Sequence, residues 1–93
     1  MNRQEAAETL ALEALGWLAA QDDLFTTFLA ASGAGVADLA QRARDPDFLG
    51  SVLDFLLAED DWILAFSRDT GHPPTAPARA RADLPGGAQQ HWT

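Results

Sequence analysis

Asp45-Pro46-Asp47-Phe48-Leu49-Gly50-Ser51-Val52-Leu53-Asp54-Phe55-Leu56-Leu57 carries both a helix start and an apolar surface too wide for one neighbour. Asp45 suits the N-cap, and Pro46 suits the first helical position, where its missing N–H would have had no partner. On a helical wheel Phe48, Leu49, Val52, Leu53, Phe55, Leu56 and Leu57 cover more than half the circumference. Only Gly50, Ser51, Asp54 and the following Ala58 remain for the outside. A helix apolar over so wide an arc packs on several sides, so this segment is the expected hub of an all-α core.

The hub echoes an earlier stretch of the chain. Leu15, Trp17, Leu18, Ala20, Asp22, Asp23 and Phe28 match Leu53, Phe55, Leu56, Ala58, Asp60, Asp61 and Phe66 at an offset of 38 residues. Repetition at such a period signals stacked helical units. Asn2 with Glu5 forms a capping box for a first helix over about 3–20, whose buried face is Ala7, Leu10, Ala11, Ala14, Leu15, Trp17 and Leu18. Leu12 falls on the polar face and is expected to be exposed. Asp22-Asp23 is read as the cap of a second helix ending at Gly33, and Glu59-Asp60-Asp61 as the cap of its counterpart ending at Gly71. A short third helix, about 36–43, is anchored by Val36, Leu39 and Ala40, and a sixth runs over about 75–83 with Pro77 in its first turn. The expected fold is a compact all-α bundle of five to six short helices arranged as two three-helix units, 1–44 and 45–83. Residues 1–84 form the single domain and 85–93 a flexible tail.

Composition narrows the function classes. The 93 residues carry a net charge of −8 and no lysine, so a nucleic-acid phosphate backbone meets a field of the wrong sign. Without cysteine neither a disulfide scaffold nor a thiolate metal site is available. No apolar run approaches the roughly 20 residues that span a bilayer, and no signal-peptide pattern opens the chain. A soluble cytoplasmic protein, bound to neither nucleic acid nor membrane, is expected.

The chemistry-bearing residues are few. The acidic pairs lack the alternation of a calcium loop and the separation of a two-carboxylate catalytic site, and helix capping accounts for both. His72 is read as a solvent-facing loop histidine, and Ser32, Ser51 and Ser67 lie outside any nucleophile-elbow pattern. Arg42, Arg44, Arg79 and Arg81 complement helix C-termini. Trp17 and Trp62 follow core stripes. Trp92, past the Leu84-Pro85-Gly86-Gly87 break, either anchors the tail on the bundle or stays open to a partner.

The run Ala6-x-Glu8-x-Leu10-Ala11-Leu12-Glu13-Ala14-Leu15-Gly16-Trp17-Leu18-Ala19, the Asp45-Pro46-x-Phe48-Leu49-x-x-Val52-Leu53-Asp54-Phe55-Leu56-Leu57 hub and Leu84-Pro85-Gly86-Gly87 resemble a family of short alphaproteobacterial proteins, domain of unknown function 3572. The resemblance implies a bacterial, cytoplasmic helical protein and supplies no activity, cofactor or catalytic residue. It also implies that Leu12, Gly16, Asp54 and the Leu-Pro-Gly-Gly turn belong to a recurring pattern.

The sequence thus predicts a non-enzymatic protein-interaction or regulatory module with no catalytic, cofactor-binding or metal-binding residues. Its expected contact surface combines Leu12, Gly16, Gly50, Asp54 and Trp92. Gly16 and Gly50 each cost a helix about 1 kcal/mol relative to Ala unless something approaches closely there. The expected partner is another protein, with a symmetric dimer as a further possibility. The alternative is a small hydrolase or metal-dependent enzyme using the acidic helix starts.

Overall fold

The computed structural model describes residues 2–86. Within them lie α1 (Arg3–Ala19), α2 (Asp22–Ser32), a single 3₁₀ turn (Val36–Asp38) running into α3 (Leu39–Arg42), α4 (Pro46–Leu57), α5 (Asp60–Thr70) and α6 (Ala76–Ala82). No strand occurs among the described residues. Trp92 and the segment 87–93 fall outside them.

The start signals work as the residues dictate. The Asn2 side chain accepts from the Glu5 N–H at 2.7 Å while the Asn2 N–H donates to Glu5 Oε1 at 3.2 Å, closing the capping box. Asp45 Oδ1 accepts from the Asp47 N–H at 3.0 Å, with Pro46 beginning the helix behind it. Gly33 (φ 73°) and Gly71 (φ 83°) end α2 and α5 in the left-handed conformation that glycine adopts without steric cost.

Packing centres on α4, which lies against α1, α5 and α6. Ala7, Ala11 and Ala14 form a buried small-residue stripe on α1, and Phe48, Leu49, Val52, Leu53 and Leu56 are buried on α4. Small side chains on one helix let the larger ones of its neighbour close the gap, which sets the interaxial distance. Phe28 and Phe66 are fully buried, each burial contributing about 1.5–3 kcal/mol.

The echo is carried into the backbone. α1 and α4 end at Ala19 and Leu57, α2 and α5 run from Asp22 to Ser32 and from Asp60 to Thr70, and Gly33 answers Gly71, all 38 residues apart. The side chains follow. Trp17 meets Phe66 edge-on with ring centroids 5.8 Å apart, and Phe55, the match of Trp17, meets Phe28, the match of Phe66, edge-on at 5.3 Å. One contact made twice, each time between units, is the pattern of a twofold interface folded into one chain.

Several expectations are corrected. Asp22 and Asp23 do not cap α2, nor do Glu59, Asp60 and Asp61 cap α5 through side-chain bonds. The chain leaves each preceding helix through one extended residue, Gln21 or Glu59, and this residue takes the N-cap position. The aspartates therefore fall inside the first turn, where they oppose the helix dipole without bonding an N–H. The third helix is broken into a 3₁₀ turn and four α-helical residues, with Val36 66% exposed and Ala40 exposed, so Leu39 alone of its three expected anchors packs on the core. Gly50 is buried rather than outward because α6 returns across it. His72 is not a free loop side chain: its ring stacks on Phe66 at 6.0 Å and its Nε2 lies 2.9 Å from Glu13 Oε2.

Candidate functional site

The residues expected to form one contact surface separate into an open face and a closed one. Leu12 is 45% exposed on α1, and a Cβ added to Gly16 would meet nothing within 4 Å. Gly50 and Asp54 are instead held by α6. Arg81 Nε donates to Asp54 Oδ1 at 2.7 Å, its Nη1 donates to the Pro85 carbonyl at 2.9 Å, and a Cβ built on Gly50 would stand 2.9 Å from Nη1. Glycine at position 50 thus makes room for a guanidinium that fastens the Leu-Pro-Gly turn to α4. Leu84, in that turn, is buried. Trp92 lies outside the described residues.

Another opening lies elsewhere among the described residues. A cleft of about 560 Å³ lies between the N-terminal halves of α2 and α5, with Leu24 and Thr27 on one side, Trp62 and Ala65 on the other, together with Trp17 of α1 and Gln21 of the connection to α2. Under the 38-residue match Leu24 answers Trp62 and Thr27 answers Ala65, so the cleft sits where the two units face each other. Both tryptophans are fixed from behind. Trp62 stacks one face on Phe55 at 4.9 Å and 21° and also lines the opening. Trp17 is braced edge-on by Phe66, and its indole N–H donates to Asp69 Oδ2 at 2.9 Å. Both rings remain half-buried.

Asp22 and Asp23 form the acidic rim. Their carboxylates bond no α2 N–H, and among the described residues they form no ion pair. No arginine is among the residues that line the cleft. The one hydroxyl of the lining, Thr27 Oγ1, donates to the Asp23 carbonyl at 3.0 Å. The cleft therefore offers aromatic surface, a leucine and two carboxylates without an ion-pair partner among the described residues, which suits apolar and cationic contacts.

The acidic start of α5 does not join it: Glu59, Asp60 and Asp61 line a separate depression with Ala58. Among the described residues no cluster of three or more histidine, aspartate or glutamate side chains could hold a metal ion. Another groove, of about 260 Å³, lies between α1 and α6 and is edged by the Arg3–Asp83 pair.

Sequence reasoning assigned Trp17 and Trp62 to the core and Asp22-Asp23 to capping, and so missed that the four share one opening. The available signal was the register itself, which sets Leu24 against Trp62.

The family described as "Protein of unknown function (DUF3572)" matches residues 4–87. The chain belongs to that family. The match covers the six helices of the described residues apart from Arg3 at the start of α1, so the DUF3572 region contains the cleft and the Arg81 latch. No curated protein and no solved structure matches the chain. No helix among the described residues is long and apolar enough to cross a membrane.

Proposed function

We propose that this DUF3572 protein is a non-enzymatic interaction module that engages a protein partner through the Trp17–Trp62 cleft. The observation that carries the reading is the pair of half-buried tryptophans opening, with Leu24, into one acidic-rimmed cleft. Half-exposed tryptophan held rigidly from behind supplies large contact area with little loss of side-chain entropy, which is why it recurs at binding hot spots. Two observations favour this over a hydrolase using the acidic helix starts. Those starts line different depressions, and the cleft's hydroxyl donates to backbone rather than to a base. The α1 face at Leu12 and Gly16 is a second contact surface in this reading, favoured because among the described residues Leu12 is 45% exposed and nothing lies within 4 Å of a Cβ built on Gly16.

Affinity capture from native cell extract, comparing the parent chain with Trp62→Ser and Leu12→Asp, tests the proposal. A partner retained by the parent and lost with Trp62→Ser, while circular dichroism stays that of a folded helical protein, is the expected result. Loss with Leu12→Asp as well adds the second surface. Equal recovery by the parent and folded Trp62→Ser overturns the cleft as the contact.

A further inference from the structure

We infer that the cleft receives a cationic side chain, arginine or lysine, carried by a basic segment of a protein partner. The inference rests on the cleft being the contact site and names what fills it. Four observations converge on this chemistry. Trp62, stacked on Phe55 and lining the opening, brings an aromatic ring whose face carries the negative part of its quadrupole. Asp22 and Asp23 stand at the mouth with neither an N-cap bond nor an ion pair among the described residues to compensate them. No arginine lines the cleft to compete with an incoming cation. The chain as a whole carries −8, so a positively charged partner is drawn toward it and an acidic one repelled.

The α2 N-terminus opposes a cation with roughly half a unit of positive charge, which the two aspartate carboxylates together exceed. Leu24, Ala65 and the indole edges fit the aliphatic stem that arginine and lysine lay against apolar surface while the charged head reaches outward. Stem in the cleft and head between indole and carboxylates is the geometry the site offers.

The test uses the full chain and three blocked pentapeptides, Ala-Leu-X-Leu-Ala, in which X is arginine, norleucine or glutamate. Amide signals of Leu24 and Ala65 and the indole signal of Trp62 are followed by NMR titration. The arginine peptide is expected to shift all three and to bind at least about tenfold more tightly than the norleucine peptide, with the glutamate peptide weakest. Asp22→Asn with Asp23→Asn should remove most of that preference. Asp60→Asn with Asp61→Asn, the same charge change at the other helix start, should leave it. Equal binding of the norleucine and arginine peptides overturns the cationic occupant while leaving the cleft as a contact. Cleft signals unmoved by every peptide overturn both. Equal weakening by the two double variants assigns the attraction to overall charge and overturns the inference.

Discussion

The two units, matched at an offset of 38 residues, share a backbone from the end of their first helix to the glycine that closes their second, and then diverge. In the second unit the chain continues through His72, Pro73 and Pro74 into α6, which lies across α1 and α4 and is fastened by Arg81 to Asp54 and the Pro85 carbonyl. In the first unit the corresponding stretch is a 3₁₀ turn and a four-residue helix, with Val36 exposed and Arg42 resting over the Phe48 ring at 5.7 Å. Buried apolar area explains the difference. α6 buries Pro77 and Ala80 and leads into buried Leu84, whereas α3 and its 3₁₀ turn bury no residue. Matched sequence positions thus meet different fates. Gly50 is sealed under a guanidinium, while Leu12, its match, is 45% exposed. The lesson is that the shared portion builds the core and the divergent portion chooses which surfaces stay open.

That comparison can be broken most forcefully at its matched aromatics. Phe28→Ala and Phe66→Ala each remove a fully buried ring that meets an aromatic of the other unit. Each should cost about 3–5 kcal/mol, a large share of the ~5–15 kcal/mol typical of a domain, and urea unfolding should show comparable losses. A loss below about 1 kcal/mol for either variant alone would mean that its ring is not part of a shared core.

A smaller effect sharpens the contrast between open and sealed faces. Gly16→Ala meets nothing within 4 Å and should stabilise the protein by up to about 1 kcal/mol through helix propensity. Gly50→Ala places a methyl 2.9 Å from Arg81 Nη1 and must push the guanidinium away from Asp54. Its propensity gain is offset by the weakened latch, so the net change should be near zero or destabilising. Thermal unfolding of the two variants gives the answer, and equal stabilisation by both would show that Arg81 holds nothing at Gly50.

Much of the fold was legible because it follows from local rules. The capping box at Asn2, the Asp45-Pro46 start, the helix-ending glycines and the buried arc of α4 each depend on residues within a turn or two of one another. The misreadings came from long-range packing. Nothing local distinguishes Gly50 from Gly16; only the return of α6 does. His72 reads as a loop residue until Phe66 and Glu13 are brought to it across the bundle. Asp22 and Asp23 look like caps because aspartate favours that role, but the two-residue connection from α1, Ala20 and Gln21, gives the N-cap to Gln21 and leaves the carboxylates lining the cleft. The cleft was the least legible feature, since its two walls come from different units. Trp17 and Trp62 satisfy the core pattern while keeping part of each ring in the opening.

Trp62 lines a cleft that also carries Asp22 and Asp23, and its exposure and surrounding charge are directly measurable. Collisional quenching of Trp62 fluorescence, in a chain carrying Trp17→Phe and Trp92→Phe, measures exposure and local charge together when caesium and iodide ions are compared at matched ionic strength. Quenching by caesium in clear excess over iodide, with the excess reduced by Asp22→Asn and Asp23→Asn, is the predicted result. Stronger quenching by iodide, or no quenching by either ion, would contradict the account.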